Sequence, residues 1–283
     1  MSRDFRDRIR LGYAALAIIP LFFLGVFFLW PLWRVLVFSF QDSAGAFSLG
    51  NYQRFLGDPF YQGIISNSMG VAGIGTLLTV VLGYAIALFI TTRKQGAAVW
   101  LFLAVAPMLT SLVIRLYGWM IILSEQGPLN SLVMSLGIAN APLGLLFSRT
   151  AVIIGIVHYC LPFMVLTVYS VLKRIPVYLP EAAATLGASP WRNFWTVVFP
   201  LSMPGIIAGT SLVFALAAST FVVPLMIGGP RDRMLANFTH MAVDRMGDWG
   251  FGAAIALTLL VMVCIVLAFA NLFARSVEER FLQ

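Results

Sequence analysis

The stretch Pro180-Glu181-Ala182-Ala183-Ala184-Thr185-Leu186-Gly187-Ala188-Ser189-Pro190 decides how this chain is read. Pro180 suits the first turn of a helix, where its missing N–H is not required. Glu181 then stands at the positive end of the helix dipole. The alanine run gives a small, smooth helical surface, and Gly187 can take the left-handed conformation that ends such a helix. Ser189-Pro190 opens a second helical stretch, which Pro200 and Pro204 are expected to break. The expected product is a short, stiff helix–turn–helix standing in water.

What surrounds that segment is far from water-soluble. The chain has 283 residues, 60% hydrophobic and 10% charged, with a mean hydropathy of +0.94. A soluble domain carries about a quarter charged residues. Lipid must therefore solvate much of this chain, and in lipid only helices or closed barrels satisfy the backbone. Barrel strands show alternating segments of about ten residues, and the apolar runs here are far longer. An all-α, polytopic membrane protein is the expected fold class.

Six apolar stretches reach the roughly 20 residues a crossing needs: 11–40, 66–92, 98–124, 150–172, 203–228 and 251–274. The first exceeds the h-region of a cleavable signal and lacks a small-residue cleavage site, so it is expected to remain as a helix. Segments 1–10, 93–97, 173–202 and 275–283 hold eleven of the eighteen basic residues in 54 positions. Segments 41–65, 125–149 and 229–250 hold five in 72. The basic set is cytoplasmic by the positive-inside rule, and six crossings put both termini there too. The expected organisation is a cytoplasmic segment 1–10, a six-helix domain 11–274 with its cytoplasmic connection 173–202, and a cytoplasmic tail 275–283. Outer segments 129–138 and 229–250 each carry a short helical pattern, through Leu129, Leu132, Val133 and Leu136, and through Leu235, Phe238, Met241 and Ala242.

Several function classes drop out. The net charge of +7 includes just two lysines, Lys94 and Lys173, with no basic run interleaved with aromatics as nucleic-acid binding would want. Cys160 and Cys264 sit singly in apolar helices, where they read as small apolar filling. No Asp or Glu falls inside the six spans, whereas a secondary transporter needs intramembrane acids for ion coupling. Neither paired acids nor a metal-ligand cluster nor a nucleophile–base set marks an enzyme. A P-loop needs Gly-Lys followed by Ser or Thr, but Lys94 follows Arg93 and Lys173 follows Leu172.

The long cytoplasmic connection resembles the EAA loop of ABC importer permeases. That pattern runs Glu-Ala-Ala, three residues, Gly, nine residues, Ile, one residue, Leu-Pro. Here Glu181-Ala182-Ala183 is followed at those distances by Gly187, then Val197 for Ile and Phe199-Pro200 for Leu-Pro. The resemblance implies the type I importer fold, in which this loop is a coupling helix docked in a groove of a separate ATPase. Glu181, Ala182, Ala183 and Gly187 would carry the coupling. The chain itself would be non-catalytic, with ATP and Mg bound by the ATPase subunits.

Other stretches are similar to the spermidine/putrescine importer permeases. They are Ser111-Leu112-Val113-Ile114-Arg115-Leu116-Tyr117-Gly118-Trp119, Ala151 through Ser170, and Asp248-Trp249 with Phe251-Gly252-Ala253-Ala254. That resemblance implies a second, related permease, two ATPase copies and a periplasmic binding protein, all in the bacterial inner membrane system.

The residues themselves divide on a cationic substrate. Ammonium groups bind carboxylates and ring faces, and Tyr117, Trp119, Glu125, Asp244, Asp248 and Trp249 lie near expected outer ends. Arg115 points the other way. Placed about 15 Å inside the outer end of an unbroken third span, it would repel a cation and attract a carboxylate, as in 4-aminobutyrate. Alternatively it pairs with a carbonyl or with an acid of the partner permease. His158 and Tyr159 are weaker candidates in the fourth span.

Overall fold

A computed structural model describes residues 18–42, 45–93 and 95–281, with side chains through Leu272. Residues 1–10, the start of the first expected span, and Lys94 lie outside the described residues, as do the side chains of the expected tail 275–283.

The helices follow the apolar runs. In chain order they are α1 (Ile18–Ser39), α2 (Gly50–Gly57), α3 (Pro59–Thr91), α4 (Ala97–Val105), α5 (Leu112–Leu123), α6 (Pro128–Ser135), α7 (Arg149–Leu172) and α8 (Tyr178–Thr185). Then come α9 (Pro190–Ser219), α10 (Val222–Ile227), α11 (Leu235–Asp244) and α12 (Trp249–Phe281). Among the described residues five are long and apolar enough to cross a membrane, or six if the bent pair Ala97–Leu109 with Leu112–Ser135 counts as one span. The second, fourth and sixth expected spans correspond to α3, α7 and α12, α3 beginning before its expected start and α12 extending past both of its expected limits.

Two expectations are corrected. The third span is not one helix: it bends by 96° where Thr110 and Ser111 turn extended, with ψ of 153° and 136°. Arg115 therefore lies in the first turn of α5, beside the break, and not midway along an unbroken span. The fifth span also departs from 203–228. Pro200 and Pro204 do not stop the helix, which runs from Pro190 to Ser219. A π turn at Phe194–Val198 precedes Pro200, and the Phe199 N–H reaches the Phe194 carbonyl. The ladder thus widens just where a proline cannot donate, which is a known way to accommodate one. The helix ends instead at Thr220, in extended conformation, before α10.

The chain forms two compact units. The larger holds Pro59–Phe238 and the residues from Leu259, with α3, α7 and α9 packed on one another. The packing is close: a Cβ added to Gly83 of α3 would stand 2.6 Å from Met164 Cγ of α7. Small residues at such crossings let backbones approach where lipid gives no hydrophobic drive. Backbone freed at the second break is satisfied within this unit, since Asn237 Nδ2 donates to the Phe221 carbonyl at 2.8 Å. Buried Asn130 of α6 likewise holds the loop that follows it, donating to the Ser124 and Leu143 carbonyls and accepting from the Leu143 N–H at 2.8 Å.

The smaller unit comprises residues up to Asp58 and Thr239–Thr258. Its α2 clasps the end of α1: Asn51 Nδ2 donates to the Ser39 and Gln41 carbonyls, and the Tyr52 hydroxyl donates to Ser39 Oγ at 2.9 Å. Phe55 meets Phe251 edge to face.

Candidate functional site

The connection 173–202 folds as its residue types require. Glu181 lies in the first turn of α8, and Gly187 ends the helix at φ +82°. The Ala188 N–H bonds the Ala183 carbonyl and the Gly187 N–H bonds the Ala184 carbonyl. These are the two bonds of a Schellman cap. Ser189 then caps α9, its Oγ accepting from the Arg192 N–H at 3.3 Å, with Pro190 at the first position. The two helices are tied together by Asn193, whose Nδ2 donates to the Pro180 carbonyl at 2.8 Å. Pairing alone does not reveal that tie, because it spans thirteen residues and needs the turn to be folded first.

The outward surface of this hairpin is apolar. Leu186 at its tip is 89% exposed, and Val177, Tyr178 and Trp191 are also exposed. Glu181, Ala182 and Gly187 are exposed with them, and Ala183 is half-buried. Exposed leucine and aromatic side chains grouped on a stiff, capped helix are a feature of interaction surfaces.

A second group gathers at the third-span break. Arg115 is half-buried, and its Nε and Nη1 are shielded from solvent without a hydrogen-bond partner among the described residues. Tyr159 and His158 of α7 are its electrostatic neighbours, and His158 meets the Trp119 ring edge to face at 5.7 Å. Four of the residues singled out from the sequence thus converge. Tyr117 lies on an exposed face of α5. Glu125 is exposed and lines a separate hollow of about 400 Å³ with Gln126 and Leu143–Phe147.

The remaining acids belong to the smaller unit. Asp248 is engaged at both oxygens: Oδ1 accepts from the Phe251 N–H at 2.9 Å, capping α12, and Oδ2 meets Arg54 at 3.3 Å. The Arg54 guanidinium also lies 4.2 Å over the Phe251 ring. Asp244 pairs with His240 one turn earlier at 3.0 Å, and Trp249 is exposed.

The family described as binding-protein-dependent transport system inner membrane component matches residues 2–281. The chain belongs to this family. It is a non-catalytic, multi-pass inner-membrane permease subunit of an ABC importer, and the ATPase is a separate subunit. The spermidine/putrescine transport system permease protein PotB of Escherichia coli is 39% identical over 222 residues, covering 78% of this chain and 80% of that protein. PotB of Haemophilus influenzae is 34% identical over 248 residues, covering 85% and 86%. The crystal structure of a bacterial alginate ABC transporter with its alginate-bound periplasmic protein shares the fold. It has a TM-score of 0.82 at 16% identity, covering 98% of this chain and 99% of that one.

Proposed function

We propose that this permease moves a polyamine such as spermidine or putrescine from periplasm to cytoplasm, as one half of a pore completed by a second, related permease. Segment 173–202 faces the cytoplasm, as do both termini. Its helix α8, through Glu181, Ala182, Ala183 and Gly187, docks on one of two ATPase copies that bind ATP and Mg. A periplasmic binding protein delivers the solute. The observation that carries the coupling role is the Schellman-capped helix with Leu186 almost fully exposed at its tip. The substrate class is supported by the extent of identity with the two PotB permeases.

The path follows from the breaks. Non-helical backbone at membrane depth is tolerated only where protein buries it or a water-filled cavity solvates it. Thr110–Ser111 and Thr220–Phe221 are such backbone, and discontinuous helices commonly build transport sites. In the larger unit, Trp119 and Tyr117 of α5 offer ring faces to an ammonium group and Glu125 a carboxylate; in the smaller unit, Trp249 offers a further ring. Asp244 and Asp248 already hold partners and add negative field more than a free ligand. The two shielded nitrogens of Arg115 take an acceptor from outside the chain, either an acid of the partner permease or a substrate carboxylate.

The test is uptake by the reconstituted complex, with ATP hydrolysis followed in parallel. Binding protein loaded with spermidine or putrescine should stimulate hydrolysis and drive uptake. Uptake of 4-aminobutyrate alone would move the substrate class to amino-acid-like solutes. ATP-independent uptake by the permease pair alone would overturn the importer mechanism.

A further inference from the structure

The hairpin reaches the membrane through more than its own chain continuity. Asn193, which grips the Pro180 carbonyl, is followed by Phe194 and Trp195 inside the π turn. Phe194 packs on Tyr84 of α3 at 6.1 Å between ring centroids, and Phe199 packs on the same ring at 6.0 Å. Trp195 and Phe199 pack at 4.8 Å and Phe194 and Phe199 at 6.0 Å, so rings bridge the π turn from end to end. The Tyr84 hydroxyl shares a 3.0 Å hydrogen bond with Ser202 Oγ, one turn further along α9.

We propose that Tyr84, Phe194 and Phe199 form an aromatic joint that passes displacement of the docked hairpin to the span Pro59–Thr91, with Asn193 fastening the hairpin to it. This rests on reading 180–200 as the coupling segment. The physical reason is stiffness. A π turn is a weak point in a helix, with a widened ladder and a proline following it. Left unsupported, it would absorb a push from α8 by bending. Rings stacked across it in preferred edge and tilted geometries remove that compliance, and they direct the push into α3 as well as along α9. These are positioning residues: they touch neither solute nor ATP.

The experiment uses the full complex with partner permease, ATPase and binding protein. Tyr84→Leu and Phe194→Leu should assemble with ATPase at the normal ratio and keep basal ATP hydrolysis. Stimulation by loaded binding protein should fall about tenfold, a typical coupling between distant sites. The double variant should be no worse than either single, because both break one joint. Tyr84→Phe keeps the ring and should retain stimulation. If Tyr84→Leu does not yield an assembled complex, Tyr84→Met preserves bulk without the ring and is read the same way. Normal stimulation in the leucine variants, equal damage from Tyr84→Phe and Tyr84→Leu, or loss of the ATPase from both the Tyr84→Leu and the Tyr84→Met complex would each overturn the joint. Leu186→Asp, run in parallel, addresses the docking reading alone. It should shed the ATPase, and a complex that keeps it with normal stimulation would defeat the coupling segment whatever the joint variants do.

Discussion

Gly187 offers a graded test of the hairpin, because its surroundings separate two costs that usually arrive together. A Cβ built at Gly187 meets nothing within 4 Å, yet φ is +82°. Substitution therefore brings no clash, and the whole penalty is backbone. For an ordinary L-residue the left-handed conformation costs roughly 1–2 kcal/mol, while asparagine tolerates it better than most. A β-branched residue lies at the upper end. That energy corresponds to a factor of about 5–30 in the population of the capped hairpin. The series Gly187→Asn, Gly187→Ala and Gly187→Val should accordingly lower binding-protein-stimulated ATP hydrolysis in that order, Asn staying near wild type and Val losing most of the response. Insertion and pairing with the partner permease should be unchanged, since the spans lie outside the turn. Hydrolysis by the reconstituted complex, with and without loaded binding protein, is the assay. An unaffected Gly187→Val, or Asn as damaging as Val, would refute the left-handed cap as the element that aims the docking surface.

Further outcomes follow from the same structure. Arg115→Lys should keep part of the transport activity if a substrate carboxylate is its acceptor, with Arg115→Met inactive in a fully assembled complex. If an acid of the partner permease is the acceptor, Arg115→Met should instead weaken permease pairing, which co-purification reads directly, and a fully active, assembled Arg115→Met would sink both. Gly83→Ala forces Met164 to shift, since the new Cβ would lie 2.6 Å from its Cγ; overpacking of this kind costs about 1–3 kcal/mol and should lower the Tm of the detergent-solubilised protein. In a background without Cys160 and Cys264, Ser135→Cys should react with an impermeant thiol reagent in intact cells and Thr185→Cys should not. Both positions are exposed, so the reverse pattern would invert the membrane orientation.

The sequence alone settled what depends on composition and on local backbone chemistry. Apolar length identifies spans because lipid leaves an unpaired backbone no other partner, and α7 matches its expected limits within one residue. The hairpin was legible for a different reason: Pro180, Gly187 and Ser189-Pro190 each act on their own turn, and the structure realises each one. What the sequence did not disclose are events decided between helices. Residues 98–124 and 203–228 are each apolar enough overall to read as one span, and the short polar steps at Thr110-Ser111 and Ser219-Thr220 do not by themselves say that a helix breaks there. A break is tolerable only when other elements satisfy the freed groups, as Asn237 does at Phe221. Pro200 and Pro204 look like stops until the π turn and its ring packing are seen to accommodate them. Asp248 reads as a free acid in sequence because its partner Arg54 lies 194 residues away. Tyr84 reads as one more aromatic in a span, and only the packing of α3 against α9 gives it rings to meet and a hydroxyl partner.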